Sequence, residues 1–116
     1  MDQIPQEKGK AFVTTDSVDY ILHSVLIKTI IKKATGHVTV SALDDGEGLS
    51  EKTSPFDTFI QVIDGRAEIV INDHPQQLET GESIIIPAHS RNRIKANERF
   101  KIITTLIKSG YEDLVV

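Results

Sequence analysis

From residue 24 onward, apolar and polar side chains alternate at a period of two in short runs, the spacing that predicts β-strands. In residues 24–33 (SVLIKTIIKK) the alternating set is Val25, Ile27, Thr29 and Ile31, mostly β-branched side chains that pack well on a pleated surface. Gly36 interrupts the run. Residues 37–43 (HVTVSAL) alternate again, with His37, Thr39 and Ser41 polar and Val38, Val40 and Ala42 apolar, before Asp44, Asp45, Gly46 and Gly48 supply a turn. Residues 56–63 and 66–71 flank Asp64-Gly65 and predict a hairpin closed by that dipeptide. Asn72, Asp73, His74 and Pro75 predict the next turn and Thr80-Gly81 another; a strand over residues 83–86 is stopped by Pro87, and residues 100–108 predict a last strand.

Helical signals are few. Asp16 and Ser17 resemble a cap ahead of Val18, Tyr20, Ile21 and Leu22, enough for one short turn. Turn signals recurring every ~8 to 12 residues point to an all-β sandwich or barrel and away from βαβ units. Residues 1–15 are polar, mixed in charge and interrupted by Pro5 and Gly9, and are expected to form a flexible or strap-like N-terminal segment. Residues 16–116 are expected to form the barrel domain, with the apolar tail Leu114, Val115 and Val116 docked on it.

Size and charge narrow the picture. A chain of 116 residues fits one domain with one core. The net charge of −4 provides no broad positive field to attract a phosphate backbone, so nucleic acid is not an expected partner. The absence of cysteine excludes disulfides, thiolate nucleophiles and zinc–sulfur sites. Residues 1–12 contain no apolar run of the kind a secretion signal needs, and the most apolar stretch, residues 20–31, is broken by His23 and Lys28. A cytoplasmic protein that neither crosses nor binds a membrane is expected.

The glycines and prolines of the middle third are regularly spaced. Gly46 is followed after five residues by Lys52-Thr53-Ser54, after three more by Thr58, and after six more by Gly65. Gly81 is followed after five residues by Pro87, then His89, Asn92 and Ala96. This frame resembles the two motifs of the cupin superfamily: glycine, five residues, His-x-His, three or four residues, glutamate, six residues, glycine; then glycine, five residues, proline, one residue, glycine, two residues, histidine, three residues, asparagine. The resemblance spans residues 46–96 by motif and the flanking strands by rhythm. It implies a single cupin-type double-stranded β-helix, an RmlC-like jelly-roll barrel, with a short N-terminal extension. It also implies a homodimer that covers the sheet edges through N-terminal strands, for which Val25 to Ile31 is the candidate.

The same alignment places Lys52, Ser54, Thr58 and Asn92 where cupins hold their metal ligands. A divalent transition ion needs three or four good donors at about 2 Å, and a lysine ammonium, two hydroxyls and an amide replace imidazole and carboxylate poorly. No metal and no cofactor are therefore expected. The four histidines offer no pair with ligand spacing: His74 lies in a turn, His89 suits a residue in an unusual backbone conformation, and His37 could point inward but is expected to face solvent or a hydrogen-bond partner. Asp44, Asp45, Glu47, Glu51 and Asp57 lack the alternate-position pattern of a calcium loop and read as a solvated turn. No phosphate loop or nucleophile elbow is present, and no catalytic residue is assigned.

Within residues 56–63, Phe56, Thr58, Ile60 and Val62 share a face that the motif register turns inward. Lys52, Ser54, Thr58, Asn92 and Ile60 thus form the expected ligand pocket, suited to a small polar or anionic molecule; an interior filled by side chains stays open as the alternative. The expected role is a metal-free ligand-binding or interaction module. The competing expectation is a cupin enzyme, isomerase or dioxygenase-like, working through residues outside the usual metal site.

Overall fold

The computed structural model describes residues 6–108. Met1 to Pro5 and the apolar tail Leu114 to Val116 lie outside the described residues. Eight strands follow one 3-10 turn at Thr14–Asp16: β1 (Val25–Lys33), β2 (Gly36–Leu43), β3 (Gly48–Thr53), β4 (Thr58–Ile71), β5 (His74–Glu79), β6 (Ser83–Ile86), β7 (Arg91–Lys95) and β8 (Phe100–Ile107). All neighbouring pairs are antiparallel. The sheet runs β1-β2-β8-β4-β7-β3, with β5 and β6 also on β4, and curls into the jelly-roll barrel expected of the chain.

β4 organises this curl. Its first half pairs with β6 and β8 and belongs to one wall; Arg66–Ile71 pairs with β5 and β7 and belongs to the other. The expected hairpin at Asp64-Gly65 does not form, because the dipeptide stays paired with Lys101 and Phe100 of β8, just past a β-bulge at Ile63, within one continuous strand that passes from wall to wall. Gly65 has φ +79°, and a Cβ there would lie 2.4 Å from the carbonyl oxygen of Arg99, so the close approach of β4 to β8 admits only glycine. The true two-residue hairpin turn is Asn72-Asp73, with φ 47° and 69° in the type I′ region, and His74 and Pro75 already belong to β5.

The core lies between the walls. Leu43, Val62, Ile69, Phe100 and Ile102 are almost fully buried at the closed end. A second, smaller cluster lies outside the barrel: Val40 and Ala42 on β2 pack under Val18 and Tyr20, in the stretch that leads into β1. This explains why β2 carries its apolar side chains on the outer face and its polar ones inside. The short turn expected over residues 18–22 is absent; the 3-10 turn ends at Asp16, and the segment beyond it is irregular.

Polar contacts clamp that segment. The Tyr20 hydroxyl donates to Asp64 Oδ2 at 2.6 Å, and its ring is flanked by the Arg99 guanidinium at 4.6 Å and the Lys101 ammonium at 4.9 Å from the centroid. Lys101 Nζ also donates to the Thr15 carbonyl at 2.6 Å. Asp44, which the sequence places in a solvated turn, is 3% exposed: it accepts from the His23 backbone N–H at 2.8 Å and from Arg99 Nη2 at 3.2 Å. The His23 bond, aided by the Asp45 N–H and by Arg99, holds this carboxyl below its ordinary value against the opposing effect of desolvation.

Two outcomes follow from this arrangement. Gly65→Ala is expected to destabilise the protein by about 2–4 kcal/mol, read as a lower urea midpoint, because it combines left-handed strain with a backbone clash. An effect under about 1 kcal/mol would mean that the bend relaxes freely. A carboxyl with a depressed folded value stabilises above the unfolded value of 3.8 and loses that contribution as pH falls through the folded value. Protection of the amides of residues 18–24, measured against their intrinsic exchange rates, should therefore fall on acidification below that range in the wild type, whereas Asp44→Asn should show lower protection at neutral pH and little further change in acid. Equal acid responses in the two proteins would remove Asp44 as the clamp.

Candidate functional site

The barrel encloses a cavity of about 290 Å³ between its walls. Register explains its lining, because directly opposed residues on neighbouring strands share a face. One wall presents the row His37, Leu106, Thr58 and Ile86 from β2, β8, β4 and β6, and behind it the row Thr39, Thr104 and Ile60. Ser41 and Ile27 extend this wall onto β1. The other wall presents Lys52 and Asn92 as cross-strand partners on β3 and β7, with Leu49 and Ile94 as the next pair inward. Ser54, just after β3, completes the lining.

The five expected pocket residues, Lys52, Ser54, Thr58, Ile60 and Asn92, all line this one cavity. Phe56, expected on the same face as Thr58, Ile60 and Val62, precedes β4 and does not line the cavity. His37, expected at the surface or against a partner, is half-buried and lines the cavity with Thr39 and Ser41. The polar alternation of residues 37–41 carried that information, but only the covering of β2 by Val18 and Tyr20 tells which face is the interior.

Asn92 is the most constrained member. It is 3% exposed, and its Nδ2 donates to the Lys52 carbonyl oxygen at 3.3 Å, which fixes the amide: turned over, two acceptors would face each other. Oδ1 then remains in the interior and, among the described residues, is the one buried side-chain polar atom without a hydrogen-bond partner. Lys52, by contrast, is an exposed residue that reaches the cavity from its rim. Ser54 Oγ accepts from the Phe56 N–H at 3.1 Å, and its carbonyl accepts from the His89 N–H at 2.6 Å. His89 has φ 69° and stands in the turn between β6 and β7, outside the cavity lining, at the position where the second motif carries glycine.

The donor set does not fit a transition metal. The cavity is lined by one imidazole and by no carboxylate, and no three His, Cys, Asp or Glu side chains converge among the described residues. At the positions of the cupin ligands, the lysine ammonium would repel a divalent cation, and the hydroxyls and amide are weak donors.

No protein-family model matches the chain. A curated relative, Protein SchB of Streptomyces halstedii, is 29% identical over 75 residues, or 64% of this chain and 54% of its own length, so the match spans about half of that relative. A conserved protein of unknown function from Streptococcus pyogenes superposes with a TM-score of 0.85 and 27% identity, covering 93% of this chain and 96% of that one. A cupin superfamily protein from Desulfitobacterium hafniense superposes with a TM-score of 0.83 and 20% identity, over 92% and 98% of the two chains. A cupin 2 conserved barrel domain protein from Leptotrichia buccalis gives a TM-score of 0.78 and 25% identity, over 81% of this chain and 46% of that one. With the curled antiparallel sheet, these likenesses show that the chain has the fold of a small cupin barrel, as the motif frame at residues 46–96 implies.

Proposed function

We propose that this protein binds a small polar or anionic molecule inside its barrel and does so without a resident metal ion. The observation that carries the reading is the cavity of about 290 Å³ that gathers Lys52, Ser54, Thr58 and Asn92 and has no carboxylate in its lining. Lys52 at the rim and the hydroxyls of Ser54, Thr58, Thr39 and Thr104 add sites for a polar ligand, while Ile60, Ile86 and Ile94 supply the apolar contact typical of small-molecule sites.

A residue retained for binding and not for stability responds to replacement in a recognisable way. Asn92→Leu removes the unsatisfied acceptor and one long hydrogen bond, so the ligand-free variant should stay within about 1 kcal/mol of the wild type. It should also lose the thermal stabilisation that small hydroxylated or acidic compounds give the wild type. A loss of stability above about 2 kcal/mol would make Asn92 a structural residue and remove it from the binding site. Elemental analysis of protein from metal-supplemented cells should find transition metal well below one ion per chain; a stoichiometric ion bound by Lys52, Ser54, Thr58 or Asn92 would overturn the metal-free part.

A further inference from the structure

The open end of the barrel is basic although the protein is acidic. His37 stands in the outermost row of one wall of the cavity and Lys52 in the outermost row of the other. Lys32 on β1 is directly opposed to His37 and so shares its face, at the edge of the same opening. No aspartate or glutamate lines the cavity, and neither lysine has an ion-pair partner among the described residues. Carboxylates of this end are engaged elsewhere: Glu51 and Asp73 face Arg91, and Asp57 Oδ1 accepts from the Ala88 N–H at 2.8 Å. Asp44, Asp45, Glu47, Glu79, Glu82 and Glu98 lie in or beside the turns of the closed end. Charge is thus divided along the barrel axis, and the resulting field favours an anion at the mouth.

The lining selects among anions. It holds no arginine and no glycine-rich loop, the features with which proteins cradle phosphate. Ile60, Leu49 and Ile94 lie one layer inward from His37 and Lys52, so a ligand with its charge at the mouth sets its remainder against aliphatic side chains. A cavity of about 290 Å³ admits only a small body. Resting on the ligand-binding reading above, we infer that the barrel takes a small aliphatic carboxylate, with the charged group held between His37 and Lys52, and binds it more tightly when His37 carries a proton.

Imidazole is the side chain whose charge ordinarily changes between about pH 5 and 8. The charged groups that face His37 are Lys32 on β1 and Lys52 across the cavity, while β8 presents Leu106. A proton on His37 adds a third cation to this opening, and an anion between the walls relieves the repulsion among them. Binding and protonation therefore favour each other, so affinity should rise as pH falls from about 8 to about 6.

Titration of the full chain with 4-methylpentanoate, followed by NMR at about pH 6 and about pH 8, tests this; a carboxyl group is ionised at both. The probe should shift resonances of His37, Thr58, Ile60 and Thr104 and bind about three- to ten-fold more tightly at the lower pH. Its amide, alike in shape but uncharged, should bind more weakly than the acid at the lower pH and show no pH dependence. Inorganic phosphate, which lacks the apolar body, should also bind more weakly. His37→Gln should hold the acid at its higher-pH affinity throughout, whereas Lys52→Met should weaken it about two- to five-fold at both pH values and keep the pH dependence. In the wild type, bound probe should hold the His37 proton to higher pH, read at the ring carbons without any variant. An amide or phosphate matching the acid at the lower pH, an acid with equal affinity at both, or a pH dependence that survives His37→Gln would overturn the assignment. Failure of the acid to shift those residues while xenon enters the cavity would overturn it too, leaving the cavity reading intact. Exclusion of xenon as well would show a closed interior and take both with it.

Discussion

The barrel depends on one close approach, that of Gly65 on β4 to the backbone of Arg99 and Phe100. β4 pairs with four other strands, and it can serve both walls only by bending between Val62 and Asp64. A straight β4 would leave Arg66–Ile71 in the plane of β8, and the two inner faces would not oppose each other. The cavity, the closed end around Phe100 and Ile69, and the meeting of β3 with β7 opposite β2 and β8 all follow from that bend.

The sequence made the strands legible where one face is apolar. β1, β2 and β8 fall close to their expected positions because each carries alternating branched aliphatics, and β6 because its isoleucines are bounded by Gly81 and Pro87. β3 and β7 escaped notice for a physical reason. β3 ends the order of strands and contributes Leu49 as its single partly buried apolar side chain; β7 buries Asn92 and Ile94 between Arg91, Arg93 and Lys95, so half of its inward face is polar. The Asp-Gly signal was read as a chain reversal, but the positive φ of Gly65 serves a close approach to β8 within a continuous strand.

The cavity residues were legible for a different reason. Glycine and proline spacing sets strand register, and register decides which side chains meet, whatever those side chains are. Lys52, Ser54, Thr58 and Asn92 could thus be brought together through the resemblance of that spacing to the cupin motifs. His37, Thr39 and Ser41 could not, because the inward face of β2 is fixed by what covers its other side, and that cover comes from residues 18–20. Nor could the partnering of Asn92 be foreseen, since it depends on where the Lys52 carbonyl lies. Asp44 was misplaced for a similar reason: its acceptor role requires the distant His23 and Arg99.

The clamp on the N-terminal segment shares its anchors with the bend of β4. Tyr20 is bonded to Asp64, the residue before Gly65, and Arg99 offers its guanidinium to Asp44 and to the Tyr20 ring while its own carbonyl oxygen abuts Gly65. The strap and the corner of the barrel are thus mechanically one piece. Peeling the strap away unloads the corner, and opening the corner drops the strap, so an element that covers only the outside of one wall has a direct hold on the shape of the space within.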